Sequence, residues 1–92
     1  MRANLLFAAF SVVSTILFAQ KTDNFTTSNG NTLQIAHIGH GTLMFNFRGK
    51  VIHIDPWSRL ANYDSLPKAD YIFLTHHHGD HLDSVALSKV FA

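Results

Sequence analysis

The residues best suited to chemistry lie in one polar segment, THHHGDH, at residues 75–81. Neutral imidazole and carboxylate groups are ligands that suit zinc and neighbouring first-row metals. In an extended backbone, side chains two positions apart point the same way, so His76 and His78 can hold one ion. The glycine that follows lets the chain turn sharply and directs Asp80 and His81 toward a second ion. A catalytic zinc commonly has three protein ligands and a water, so this loop predicts two half-built metal sites.

The alternative to metal binding is a solvated, histidine-rich loop, which would have the same composition. The spacing of the ligands directly after an apolar run favours metal binding instead. His77 lies between two predicted ligands and points the other way, so we do not expect it to bind metal. His37 and His53 lie inside predicted strands, and we expect them to be structural.

The composition narrows the chemistry further. The chain has no cysteine, which excludes disulfides, Cys-ligated zinc, iron–sulfur clusters and thiol nucleophiles. It has no glutamate, so any carboxylate chemistry falls to aspartate. Residues 20–92 carry six Lys and Arg against six Asp, and this balance argues against a nucleic-acid binder, which normally has a clear excess of cations.

The first 19 residues are typical of an export signal. Arg2 supplies a positive charge, and residues 5–19 form an apolar run interrupted only by two serines and a threonine. This run is shorter than the roughly 20 residues of a membrane span, but it fits the h-region of a signal peptide. We expect cleavage after Ala19 and a periplasmic or extracellular location, with no stable membrane association after cleavage. A buried N-terminal helix and an uncleaved membrane anchor are the alternatives.

The next part of the chain predicts β-structure. Residues 20–32 are polar and indicate a linker or opening loop with a turn at Asn29-Gly30. Alternating apolar residues predict a strand over 33–38. Further strands are predicted over 42–47 and 51–55, which would form a hairpin that Pro56 ends.

The metal loop itself is expected between a strand and a helix. Residues 71–75, YIFLT, form a continuous apolar run that suits a strand buried on both faces. From Leu82 onward, apolar residues recur at three- and four-residue steps, which predicts a helix with Asp83 in its first turn. A core of about 70 residues is marginal without help from metal, a partner or more chain.

Three segments together resemble a known family. The motif His76-x-His78-x-Asp80-His81 resembles the HxHxDH signature of the metallo-β-lactamase-fold hydrolase superfamily. Residues 38–42 (IGHGT) and 54–57 (IDPW) resemble the GH and DP segments of its lactonase- and phosphodiesterase-like branch. The resemblance covers about residues 33–92. It implies an α/β fold in which this chain is the N-terminal portion of a four-layered αββα sandwich, the β-rich half with its first helix.

The resemblance also implies roles for individual residues. His76 and His78 would bind the first metal, and Asp80 and His81 the second. Asp80 would in addition act in catalysis by steering the attacking water.

Two upstream residues are implied to lie beside these ligands. Asp55 resembles the strand-end aspartate that supports the metal loop through hydrogen bonds. His40 resembles a glycine-flanked histidine near the site. Trp57 is expected to pack rather than to line a pocket.

The implied activity is hydrolysis by metal-activated water, with one or two Zn²⁺ ions, or Mn or Fe, as the cofactor. The substrate would be a small molecule with an ester, lactone, amide or phosphodiester bond. The remaining ligands of the family, a His, an Asp and a last His, lie downstream of the signature. We therefore expect these 92 residues to be a fragment that is incomplete and inactive alone. The alternative is a non-catalytic exported metal-binding module. A nucleic-acid-processing role is disfavoured by the neutral charge.

Overall fold

Within residues 21–91, five β-strands form one sheet in which spatial order follows sequence order, and one short helix packs against it. The structure is a computed structural model that describes residues 21–91, so the predicted signal peptide at 1–19 lies outside the described residues. The elements are β1 (Lys21–Thr26), β2 (Thr32–Gly39), β3 (Thr42–Phe47), β4 (Lys50–Ile54), a 3₁₀ turn (Tyr63–Ser65), β5 (Tyr71–Phe73) and α1 (Ser84–Val90). Strands β1 to β4 are antiparallel, and β5 runs parallel to β4. Within residues 21–91, no helix is long and apolar enough to cross a membrane.

The predicted hairpin over residues 42–55 is confirmed, and its turn has a clear local cause. Strands β3 and β4 are joined by Arg48 and Gly49, which both have positive φ, 52° and 78°. A two-residue loop with two positive φ angles has the twist that matches right-handed strands. Gly30, at the predicted Asn29-Gly30 turn, also has a positive φ of 83° and closes the β1–β2 hairpin.

Strand β1 differs from the sequence prediction. Residues 21–26 were expected in a polar linker or opening loop, yet they pair with β2 over six residue pairs, from Lys21↔His37 to Thr26↔Thr32. The strand lies at the edge of the sheet and is mostly exposed. Its polar side chains therefore carry no alternation from which a strand could be predicted.

The two faces of the sheet are different. One face, called here the apolar face, carries large side chains from all five strands: Phe25, Leu33, Ile35, Leu43, Phe45, Phe47, Ile52, Ile54, Tyr71 and Phe73. On the opposite face, Ile72 packs against a small core of Tyr63, Ala86 and Val90. Among the described residues, the helix and the 3₁₀ turn thus cover only this second face.

Helix α1 begins two residues later than predicted. Asp83 is its N-cap, and its carboxylate accepts a hydrogen bond from the Val85 amide. The other carboxylate oxygen accepts from the Ser58 amide at 2.7 Å, which ties the loop after β4 to the start of the helix. The buried residues are Ala86 and Val90, four positions apart, so the helix faces the sheet along one narrow stripe.

The prediction that YIFLT is buried on both faces is wrong for this structure. Strand β5 has only three residues, and Tyr71 and Phe73 are 55% and 57% exposed. Both lie on the apolar face, whereas Ile72 points to the core. The run is apolar on both sides, but only one of its sides is covered within residues 21–91.

Candidate metal centre

Asp55 is the centre of the hydrogen-bond network beneath the metal loop. It directly follows β4, is buried, and accepts hydrogen bonds from the Thr75 amide at 2.8 Å and the Thr75 hydroxyl at 2.6 Å. It also accepts one from Nδ1 of His81 at 2.8 Å. These bonds join residues 20 and 26 positions apart, so one carboxylate fixes the loop after β5 to the end of β4.

The same network orients two histidines. Since the Asp55 carboxylate can only accept, His81 carries its proton on Nδ1, and Nε2 is left with a lone pair. The Thr75 hydroxyl donates to Asp55 and lies 2.9 Å from Nδ1 of His76, which therefore donates to it. This tautomer leaves a lone pair on Nε2 of His76 as well, so this nitrogen can also bind a metal ion. A carboxylate or hydroxyl behind a histidine is the usual way in which proteins fix a metal-binding imidazole.

The surroundings of Asp55 favour the ionised form of its side chain. Burial alone would raise its pKa. The hydrogen bonds from Thr75 and His81 outweigh that effect and hold the pKa of Asp55 below its usual 3.8. The residue also has a left-handed backbone, with φ of 48°, a strained conformation that aspartate tolerates better than most residues and that often occurs at functional sites.

The predicted ligands lie close together. Ligand atoms of His76, His78 and Asp80 lie within 4.8 Å of one another, and so do those of His40, Asp80 and His81. Asp80 belongs to both groups, so the two sites envisaged from the sequence share a carboxylate. His77 belongs to neither group found among residues 21–91.

The donor set fits a metal ion. Oδ2 of Asp80 and Nε2 of His81 are 3.4 Å apart. Two ligands of a tetrahedral zinc at about 2.0–2.2 Å lie roughly 3.3–3.5 Å apart. This pair can therefore bind one ion with little rearrangement.

His40 enters the site from the β2–β3 turn. Its Nε2 lies 2.7 Å from Oδ2 of Asp80, and this contact is the main cause that lowers the pKa of Asp80 below its usual value. His40 has a φ of 53°, and a Cβ on Gly41 would lie 2.8 Å from Cε1 of His81. The glycine thus permits a close approach of the turn to the metal loop.

Two threonines escaped the sequence analysis. Thr75 connects Asp55 to His76, and its only signal is its position immediately before the first ligand. Thr42 is buried, and its hydroxyl donates to the Asp55 carbonyl at 2.7 Å, which fixes the backbone of that residue. Thr42 ends the IGHGT segment, but nothing in the sequence predicts its hydrogen bond to Asp55.

The remaining predicted residues lie around this centre. The Trp57 ring is half-buried with its centroid 5.5 Å from that of His40, so it packs beside the site. His53 is fully buried in β4 between the Pro67 carbonyl, to which Nε2 donates at 2.9 Å, and the Tyr63 ring. His37 pairs with Asp23 on β1.

Gly79 is not needed for the turn that was predicted at its position. Among the described glycines, those with positive φ are Gly30, Gly39 and Gly49. A Cβ on Gly79 would meet nothing within 4 Å. Ordinary turn geometry redirects the chain there.

Comparison with known proteins decides the family. Residues 34–91 match the model of the beta-lactamase superfamily domain. The chain belongs to the beta-lactamase superfamily. The matched region contains every metal-loop residue discussed above.

Relatives within this superfamily are similar in sequence. A UPF0173 metal-dependent hydrolase from Thermodesulfovibrio yellowstonii is 40% identical over 65 residues, which cover 61% of this chain and 24% of that protein. One from Flavobacterium johnsoniae is 41% identical over 63 residues, covering 62% of this chain and 28% of that protein.

A solved structure is similar as well. The crystal structure of a metal-dependent hydrolase from Parabacteroides distasonis matches with a TM-score of 0.78 and 44% identity, over 79% of this chain and 33% of that one. The chain thus spans about a quarter to a third of the length of these superfamily members. The fold class expected from the sequence, the N-terminal part of this α/β fold, is confirmed by the mixed sheet and by this similarity.

Proposed function

We propose that the protein from which these residues come is a metal-dependent hydrolase that acts on an ester, lactone, amide or phosphodiester bond in a small molecule. The observation that supports this most is the pairing of Asp55 with His81, which leaves Nε2 of His81 facing Asp80 at 3.4 Å. A bound metal would lower the pKa of a water and polarise the bond under attack.

The residues of this chain would bind and orient. His76, His78, Asp80 and His81 would hold the metal, with Zn²⁺ favoured by the imidazole-rich donor set and Mn or Fe as alternatives. The Asp80 carboxylate, shared by both groups, would also accept a proton or a hydrogen bond from the attacking water. Asp55 would keep two of the histidines in their binding orientation.

Relatives are about three to four times longer than the matched region. We propose that turnover needs further ligands from sequence beyond that region. The 92 residues alone would bind metal without hydrolysing substrate.

The proposal is tested by His78→Ala in the full-length protein. We expect loss of metal from one site and loss of esterase and phosphodiesterase activity. His77→Ala is the matched control, because its side chain belongs to neither ligand group. Purified wild-type protein without stoichiometric metal, or a His78→Ala protein with unchanged metal content and activity, would refute the hydrolase.

A non-catalytic metal-binding module is the second candidate. It is favoured by one observation: both ligand groups are assembled from the described residues alone. It predicts reversible zinc binding, measured by calorimetric titration, and no turnover even by the full-length protein. Absence of zinc affinity would dispose of it.

Export remains part of the proposal. If residues 1–19 are a cleaved signal, N-terminal sequencing of the mature protein from periplasm or medium will begin at Gln20. An intact N-terminus in the cytoplasmic fraction would contradict it.

A further inference from the structure

The two contacts of Asp80 with its neighbouring histidines have different lengths. Oδ2 of Asp80 lies 3.4 Å from Nε2 of His81 but only 2.7 Å from Nε2 of His40. Ligand atoms on one tetrahedral zinc lie roughly 3.3–3.5 Å apart. The His81 contact therefore suits two ligands of one ion, whereas the His40 contact has the length of a charge-assisted hydrogen bond.

We propose that His40 is a positioning residue: its Nε2–H donates to the metal-binding oxygen of Asp80, and His40 is not itself a ligand. The inference rests on the proposed metal site. It adds His40 as a residue that affects metal binding by orienting Asp80. A carboxylate oxygen has two lone pairs, so Oδ2 can accept from His40 and bind an ion at the same time.

The surroundings of His40 hold it in this role. Its backbone is left-handed, with φ of 53°, a conformation in which histidine, asparagine and aspartate are enriched. The centroid of its ring lies 5.5 Å from that of Trp57 and 5.6 Å from that of His81. The His40 side chain is 52% exposed, but these contacts place its ring beside the metal loop, where its hydrogen bond restrains the Asp80 carboxylate.

Asp80 is less restrained by its surroundings than Asp55 is. Its side chain is 32% exposed, whereas that of Asp55 is only 2% exposed and is fixed by hydrogen bonds. Without His40, the Asp80 carboxylate would have to be ordered by the metal ion itself. Part of the binding free energy would then be lost to side-chain entropy.

Two variants that replace the His40 imidazole with an amide of different length test this role. His40→Asn suits the left-handed backbone but is too short to reach Asp80, whereas His40→Gln places an amide N–H near the position of Nε2. Zn²⁺ is titrated into the metal-free full-length protein in competition with a chromophoric chelator, and the Co²⁺ absorption spectrum is recorded in parallel. We expect His40→Asn to weaken metal binding about 10–100-fold, the usual effect of losing such a support, and His40→Gln to recover most of the affinity and the wild-type spectrum.

His37→Asn is the matched control. It removes another exposed His–Asp hydrogen bond, 2.9 Å long, between β2 and β1, and should leave metal affinity unchanged. Wild-type affinity in His40→Asn would overturn the inference, and so would an equal loss in His37→Asn. If His40→Gln binds as weakly as His40→Asn, a hydrogen-bond donor at this position does not restore metal binding, and the positioning role is wrong. A wild-type full-length protein that binds no zinc would instead refute the proposed function.

Discussion

At the scale of single residues, Asp55 has the largest effect on the geometry of the centre. Its carboxylate accepts hydrogen bonds from the Thr75 amide, the Thr75 hydroxyl and the His81 imidazole. The cluster of His and Asp side chains in the metal loop could be predicted from the sequence, because its members lie next to each other in the chain. The Thr75 link could not, since it depends on a strand pairing that brings residues 20 positions apart into contact.

Asp55→Asn tests this role directly. Asparagine tolerates the left-handed backbone, but its amide is a neutral and weaker acceptor for His81. We expect zinc affinity to fall about 10–100-fold with the fold retained, as measured by chelator competition and circular dichroism. Asp64→Asn is the control, since the Asp64 side chain lies outside the metal loop, in an exposed ion pair with Lys89. Unchanged affinity in Asp55→Asn would show that the His81 orientation does not depend on this carboxylate.

His53 is a second residue with a measurable effect. Burial lowers its pKa below the usual 6.5, and the hydrogen bond to the Pro67 carbonyl only partly opposes this. As the pH falls below about 6.5, the unfolded chain takes up a proton before the folded one does. The contribution of His53 to the free energy of unfolding is therefore fully present above that pH. It declines below it, by at most about 1.4 kcal/mol per pH unit.

His53→Gln removes this titration and keeps an amide donor. We expect urea unfolding of the metal-free variant to show a smaller loss of stability between pH 7 and pH 5 than the wild type. His37→Gln is the control for an exposed histidine. Identical pH dependence in His53→Gln and wild type would show that His53 is not the titrating group.

At the scale of elements, the β2–β3 turn determines how closely the sheet approaches the metal loop. Gly41→Ala would place a Cβ 2.8 Å from the His81 ring, which Asp55 holds in place. We expect reduced zinc affinity, because the ring must move from its binding position. Gly79→Ala, in the loop itself, meets nothing within 4 Å and should bind normally. The reverse order of affinities would contradict this account.

Prediction of the elements succeeded where side-chain alternation is informative. Strands β2 to β4 were predicted to within about a residue because their apolar residues alternate or form short runs bounded by turns. Strand β1 was missed because an exposed edge strand needs no apolar side. The exposure of Tyr71 and Phe73 was missed because an apolar run does not show which of its faces another layer covers.

At the scale of the whole molecule, the apolar face is the main feature that residues 21–91 leave uncovered. Strands β1 to β5 all contribute large apolar side chains to it, and Phe25, Tyr71 and Phe73 are each more than half exposed. Exposed apolar patches larger than a few hundred Å² normally mark an interface. The relatives carry two thirds or more of their length outside the matched region, which is enough chain to cover such a face.

This face predicts how the 92-residue chain behaves by itself. We expect it to bind an apolar fluorescent dye and to associate as its concentration rises, because association removes aromatic surface from water. Phe73→Lys should reduce both effects, since a charge on the apolar face at the end of β5 opposes burial. Val85→Lys is the control, because Val85 is similarly exposed at 53% but lies on helix α1. Size-exclusion chromatography with light scattering measures the association. A monomer without dye binding at all concentrations would contradict this prediction.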